Sequence, residues 1–350
     1  MSAGDPSFDV ARLDAVLAGM RPTPSAAALE LLVEHQCDRL PMPGSGATLV
    51  RWRALACVAA HDLSLAKLYE GHTDALAILR ELGAPQPPTG STWGVWAAEA
   101  PSGRAFLKRR DDGRVLLQGG KSWCSGAATC SHALLTAWHS DGRGPQLVSI
   151  DLEQPGISVD HSAWHAIGMA QSASLDVRFR DVEAELVGEP GAYLTRPGFW
   201  HGGAGIAACW YGGATAIAGA LLQVQRRAPP AKRDALRAAA LGKVDLSLHG
   251  TAALLRDAAH WIDTHPLHDA SAVALRVRQS AEASARLVLD EVGKCLGAAP
   301  YCRDSDFARM AADLPVFIRQ SHADRDFAAL GDKVADGTHQ TSFEEKQWTL

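Results

Sequence analysis

Apolar positions along the chain change their period twice. Up to about residue 86 they recur at three- and four-residue steps, most clearly over 47–60 and 63–82, stretches rich in Ala and Leu. That spacing predicts helices with one buried face. Asp62 precedes the second stretch and is a candidate N-cap. Gly83-Ala84-Pro85-Gln86-Pro87-Pro88 stops helix and marks a boundary. From about 91 to 190 the runs shorten: 93–99, 104–108, 114–118, 132–138 and 146–152 are β-like, separated by Gly, Asp and Pro turns, and Asp112-Gly113 is a hairpin signal. Over 174–180, Leu175, Val177 and Phe179 alternate with Asp176, Arg178 and Arg180, the pattern of a half-buried antiparallel strand. From about 199 to 335 the helical period returns. Val244, Leu248, Leu255 and Ile262 form a stripe widened by Leu254 and Trp261, 272–292 is a long Ala-rich helix, and 307–330 is a further helix started or interrupted near Pro315.

The pattern predicts an α+β protein: an N-terminal helical domain (1–88), a middle antiparallel β-barrel or sandwich (89–195), a C-terminal helical bundle (196–335) and a polar tail (336–350). There are no internal repeats. At 350 residues, 47% hydrophobic, the chain can bury a sizeable core. A net charge of -5 and a sequence pI near 6.3 argue against nucleic acid or an anionic membrane as main partner. Mean hydropathy is near zero, no run of about 18 apolar residues stands out, and the N-terminus lacks a basic-then-apolar signal pattern. A cytoplasmic protein without a membrane span is expected. The seven cysteines are scattered and odd in number, as reduced core thiols are. No CxxC pair offers zinc-ligand spacing, and His161 and His165, four apart in a strand-and-loop zone, have no third ligand nearby. No metal site is expected.

Gly203-Ala204-Gly205-Ile206-Ala207-Ala208 has the spacing of a dinucleotide fingerprint, but no strand precedes it and no βαβ pattern follows. Small residues that let helices pack closely are the better reading. Gly120-Lys121-Ser122-Trp123-Cys124-Ser125-Gly126 is more telling. If it leads into a strand, Trp123 and Ser125 share a face, offering an aromatic surface and a hydroxyl to a flat, polar-edged ring. On spacing alone, a core tryptophan beside a turn serine is the simpler reading.

Together these segments resemble the acyl-CoA dehydrogenase family. The likeness runs from about residue 44 to 332 and is strongest from Trp93 to Gly213. Its carriers are Val95-Trp96-Ala97-Ala98-Glu99, the Gly-Lys-x-Trp segment, Phe179-Arg180-Asp181-Val182, Gly188-Glu189-Pro190-Gly191 and the glycine-rich helix start. The resemblance implies that the middle domain is a β-barrel, with FAD between it and a C-terminal four-helix bundle. Trp123 would pack against the isoalloxazine, Ser125 would hydrogen-bond near its reactive nitrogen, and Trp96 and Ala98 would line it, mostly through backbone. Gly297 would meet the cofactor of a neighbouring subunit, in a homodimer or homotetramer. The implied activity is that of an FAD-dependent oxidoreductase acting on CH–CH groups of an acyl thioester, with an unassigned electron acceptor.

Departures bear on the reaction. Ala98 stands where a hydroxyl residue is usual, Ala298 replaces the second glycine of the C-terminal pair, and no Arg-x-x-Phe-Gly motif is recognisable at 225–230. The family's carboxylate base falls near Ser321-His322, or alternatively near His201-Gly202, and neither holds Glu; none occurs between Glu291 and Glu344. Removing a proton alpha to a thioester needs a positioned base. Three readings follow: a dehydrogenase using His322, Asp324 or His201; a flavin-dependent monooxygenase, in which His322 assists the oxygen chemistry; or a non-catalytic binding or scaffold protein. Against a catalytic His322 stands a solvated histidine in the polar run 319–326.

Overall fold

In the computed structural model, residues 8–20, 23–99, 103–140, 142–162 and 164–337 are described. The expected polar tail lies almost wholly outside them. Four helices open the chain: α1 (Val10–Gly19), α2 (Ser25–Glu34), α3 (Thr48–His61) and α4 (Leu63–Glu81). Asp62 does cap α4, its carboxylate accepting from the Leu65 amide at 2.7 Å. Eight strands follow: β1 (Trp93–Trp96), β2 (Ala105–Arg109), β3 (Val115–Cys124), β4 (His132–His139), β5 (Pro145–Asp151), β6 (Ile157–Asp160), β7 (Leu175–Glu183) and β8 (Glu185–Val187). The short β6 and β8 are too brief and too interrupted to be seen as alternation. Helices then return: α5 (Ala192–Thr195), α6 (Gly198–Arg227), α7 (Ala235–Thr264), α8 (Ser271–Leu296), α9 (Ala299–Arg303), α10 (Ser305–Phe317) and α11 (Asp324–Ala335).

The sheet departs from a purely antiparallel barrel. Its ladder runs β6-β7-β3-β2-β4-β5-β8 without a pairing between the ends. β4 pairs in parallel with β1 through its first half and with β2 through Trp138 and His139. The two short partners share one edge of a longer strand, which a hairpin-only reading cannot foresee. The alternation on β7 is as expected: Leu175, Val177 and Phe179 are buried, Arg178 and Arg180 exposed.

The two helical zones share one core. Leu13, Trp52, Val58 and Tyr69 from the first pack in the same cluster as Ala207, Trp210, Val277 and Leu314 from the last. The long α6 makes this contact possible. On Gly212 a methyl group would overlap the backbone carbonyl of Ala56 on α3. The Gly-x-Gly segment lies inside the same helix, and at Gly205 a methyl group would stand 3.3 Å from the Trp52 indole of α3, so close packing is what this glycine allows. By length and composition α6 could also cross a membrane, but 67% of that apolar window is buried inside the protein. The helix expected over 307–330 is two: α10 ends at Phe317, two residues past Pro315, and α11 begins after Ala323, whose φ is +50°. Proline supplies no N–H to the preceding turn, which shortens the helix here.

Candidate functional site

A cleft of about 800 Å³ opens where the sheet, α4, α6 and the α10–α11 segment meet. One wall comes from the β zone: Val95 to Ala98, Trp123, Ser125, Trp164, Met169, Ser172 and Ser174. The other is helical and includes Lys67, Glu70 and Asp74 of α4, Arg196, Trp200 and Gly202 at the start of α6, Arg278 of α8, and Arg319, His322 and Asp326.

Trp123 is not a core residue. Its side of the chain is 62% exposed, its φ is +64°, and the β3–β7 register shifts between Lys121 and Cys124. A bulge breaks the strand here and Ser125 falls in the turn beyond. The two residues reach the cleft together through that bulge, not through a shared strand face. A large side chain at positive φ is a costly conformation, and here it holds an indole open to the cleft, edge-on to Trp164 with ring centroids 6.5 Å apart.

The lysine of the motif is structural. Lys121 is buried, with Nζ 2.7 Å from Glu99 Oε1 and 2.7 Å from Thr136 Oγ1. Burial works to raise the Glu99 carboxyl, but bonds from Lys121, Thr136 and Trp138 hold it below the ordinary carboxylate range. This pair ties the end of β1 to β3 and β4. Trp96 is buried too, its Nε1 donating to the Ser125 carbonyl at 3.0 Å, while Ala98 is exposed to the cleft.

The three serines form a chain with a direction. Ser172 Oγ lies 2.8 Å from the Met169 carbonyl, Ser174 Oγ 3.1 Å from Ser172 Oγ, and Ser125 Oγ 2.7 Å from Ser174 Oγ. The carbonyl has no proton, so Ser172 donates to it. Ser174 must then donate to Ser172, and Ser125 to Ser174. Three contacts use three hydroxyl protons, and Ser125 is left with lone pairs only. Toward a further partner it is an acceptor.

The segment bearing Trp164, Ser172 and Ser174 is pinned to α10. Asp313 Oδ1 accepts from the Met169 amide at 2.5 Å, its Oδ2 is buried without a partner among the described residues, and burial pushes its carboxyl up to about 6.

On the helical wall, His322 is 71% exposed at its side chain and lies 3.3 Å through Nδ1 from Asp326 Oδ1. Asp326 itself is buried. The side chain is both solvated and part of the cleft lining, so its exposure in the polar run 319–326 and a role in the cleft are compatible. His201 is 2% exposed, does not line the cleft, and has no partner at Nε2 among the described residues; burial lowers its pKa. Asp324 is exposed in the first turn of α11, off the cleft. Gly297 caps the far end of α8 with φ +62° and is also off the cleft. The cleft also takes two carboxylates of α4, Glu70 and Asp74, that no sequence motif singles out. Their i, i+4 spacing places them on one helical face, but nothing local in the sequence points that face at Gly202.

An uncovered indole, an exposed backbone stretch and a hydroxyl acceptor fit a flat heterocycle, and the order of helices, sheet and helices around them is distinctive. No protein-family model matches the sequence, and no curated protein matches it. Solved structures do. KijD3, in complex with FMN and dTDP-3-amino-2,3,6-trideoxy-4-keto-3-methyl-D-glucose, superposes with a TM-score of 0.77 at 18% identity, over 97% of this chain and 98% of its own. Butyryl-CoA dehydrogenase from Megasphaera elsdenii gives 0.75 at 16%, over 96% and 99%. This chain has the acyl-CoA dehydrogenase fold. FMN-bound TdsC, a dibenzothiophene monooxygenase from Paenibacillus sp. A11-2, shares that fold with a TM-score of 0.79 at 18% identity, over 96% and 99%.

Proposed function

We propose that this chain is a flavin-dependent oxidoreductase, and that it works as a monooxygenase on reduced flavin, not as an acyl-CoA dehydrogenase. The fold supports the first part, since flavin enzymes of both kinds adopt it. The second part rests on the direction of the serine chain. A reduced isoalloxazine carries an N–H at its reactive nitrogen, where the oxidised ring has a bare lone pair. Ser125, left as an acceptor by Ser174, complements the reduced ring and would set two lone pairs against each other with the oxidised one. A dehydrogenase must start from oxidised flavin; a monooxygenase starts from the reduced form.

Bound reduced flavin supplies the electrons with which oxygen is activated, and the protein supplies orientation and exclusion of water. Trp123 and Trp164 would flank the ring, the backbone of Trp96 to Ala98 would border it, and Gly297 would meet the cofactor of a second copy. The cofactor would be FAD, as the family likeness implied, or FMN. His322 has its Nδ1 held by the Asp326 carboxylate, which favours the tautomer with a proton-accepting Nε2. It would take up or return a proton at the reacting face.

Anaerobic titration with reduced and oxidised FMN and FAD tests this. We expect the reduced form to bind about fivefold or more tightly, the worth of one hydrogen bond, and Ser125→Ala to erase the preference. Oxygen uptake should need an added flavin reductase. Tighter binding of oxidised flavin, with bleaching by an acyl-CoA in the absence of oxygen, would restore the dehydrogenase reading.

A further inference from the structure

One carboxylate on the helical wall has no partner within bonding distance, and it says what the cleft takes. Lys67 is paired with Glu70 at 2.8 Å and Arg196 with Glu81 at 2.7 Å. Arg319 lies 3.1 Å from Glu282, which it shares with Arg286. Arg278 donates to the Gly203 and Gln320 carbonyls and lies 3.9 Å from Asp326, which also faces His322. Asp74 alone, of the charged side chains lining the cleft, has no hydrogen bond or ion pair among the described residues. Burial raises its carboxyl, opposed chiefly by the longer-range pull of Arg196.

A half-buried carboxylate without a partner is unfavourable, so its surroundings matter. Across the helix contact stands Gly202, and a methyl group there would come within 2.9 Å of Asp74 Oδ1. The glycine leaves the carboxylate its room. Beside it Tyr193, Phe199 and Trp200 form an aromatic corner, with successive ring centroids 5.5 and 5.3 Å apart and planes near perpendicular. The Arg196 guanidinium already lies over the Tyr193 ring, 5.2 Å from its centroid, so Phe199 and Trp200 are the rings that, with the free carboxylate, offer what an organic ammonium group prefers.

We infer that the helical half of this cleft binds a substrate bearing a protonated amine, with the ammonium group paired to Asp74 and its carbon frame against Phe199 and Trp200. This rests on the flavin reading only in taking the cleft to be the place of reaction. Binding gives the Asp74 carboxylate the bonded partner it lacks. Arg196 keeps a buried Nε–H without a partner among the described residues, a donor suited to a neutral oxygen on the same ligand.

The test compares 2-phenylethylamine with 2-phenylethanol, which share shape and differ in charge, by calorimetry on the full chain. We expect the amine to bind at least about tenfold more tightly than the alcohol, the worth of one charge-assisted hydrogen bond, with the preference failing as pH falls and Asp74 takes up its proton. Asp74→Asn, which keeps the shape of the side chain, should bring the two ligands within about threefold, and its melting curve reports that it folds. Equal binding of amine and alcohol to the wild type, no amine binding up to millimolar concentration, or a preference that survives Asp74→Asn would each overturn the inference. Flavin uptake, followed by absorbance in the same samples, is a separate readout. Its failure would sink the flavin reading and leave the amine comparison to stand or fall by itself.

Discussion

The two walls of the cleft are built on opposite principles. The β wall carries no charge: its lining is two indoles, three hydroxyls, Met169 and the backbone of β1's end. The helical wall carries every charged side chain that faces the cleft. A neutral aromatic surface with a directed hydroxyl suits a flat ring whose redox state it can sense. A wall of paired charges with one unpaired member suits selection among substrates. The division of labour implies that damage to one wall should leave the other's property measurable, and the expected effects can be ranked.

The largest should come from the contact that holds the helical wall up. Gly212 lets α6 lie against the Ala56 carbonyl of α3. Gly212→Ala adds one methyl where a backbone oxygen already stands, so two long helices must part. Alanine's better helix propensity recovers only about 1 kcal/mol, whereas overpacking a tight core costs about 1–3 kcal/mol or more. Because the opposing atoms are backbone and cannot rotate away, we expect a net loss of about 3 kcal/mol or more with a fall in Tm of several degrees, and weaker amine discrimination even in the molecules that remain folded. An unchanged melting curve would mean that the helical wall is not set by this contact.

The same contrast explains what was legible in the sequence. The β wall lies in short segments, 95–98, 123–125 and 164–174, so a local motif could announce it. The period of the apolar residues was enough for α3, α4, α7, α8 and β7. The helical wall draws Asp74, Arg196, Arg278 and His322 from four places far apart in sequence, and only the packing of α4 and α8 against α6, with α11 against α8, joins them. Even on the β wall the bulge is not written in the local pattern of residues. Alternation assigns faces on a regular strand, but whether the backbone turns over at Trp123 depends on β7 as its partner. Of the candidate bases, His322 reached the cleft and His201 and Asp324 did not.

An intermediate effect belongs to the strut between the walls. Asp313 holds the Met169 amide and so fixes Trp164 and the serine chain against α10. Its carboxyl sits at about 6 in the folded protein, above the value of about 3.9 in an unfolded chain. The native state therefore holds the proton more tightly, and stability from this group falls as pH rises from about 4 to about 6, then stays lower. At about 1.4 kcal/mol for each unit, the swing is roughly 2–3 kcal/mol. Asp313→Asn keeps the accepting oxygen and has no proton to lose. The stability difference between wild type and variant, from denaturant melts at pH 4 and pH 8, should change by that amount, moving in the variant's favour at the higher pH. A difference independent of pH would show that this carboxyl does not titrate in that range.

The smallest effect is the most specific to the β wall. Trp123 combines an exposed indole with a positive φ, so it gives the free protein little packing and some strain. Trp123→Gly removes both. Glycine adopts this backbone without steric cost, a relief of about 1 kcal/mol that its greater freedom in the unfolded chain partly offsets. The variant should be no less stable than the wild type. Flavin affinity should move the other way, since stacking on an aromatic face contributes about 1–3 kcal/mol, or about tenfold in Kd. Opposite signs in melting and in flavin titration are what a residue kept for a ligand predicts. A core tryptophan predicts loss in both, and an idle surface residue predicts change in neither. The amine preference at Asp74, on the opposite wall, should not change in this variant; if it does, the two walls are one coupled site and the division drawn between them is wrong.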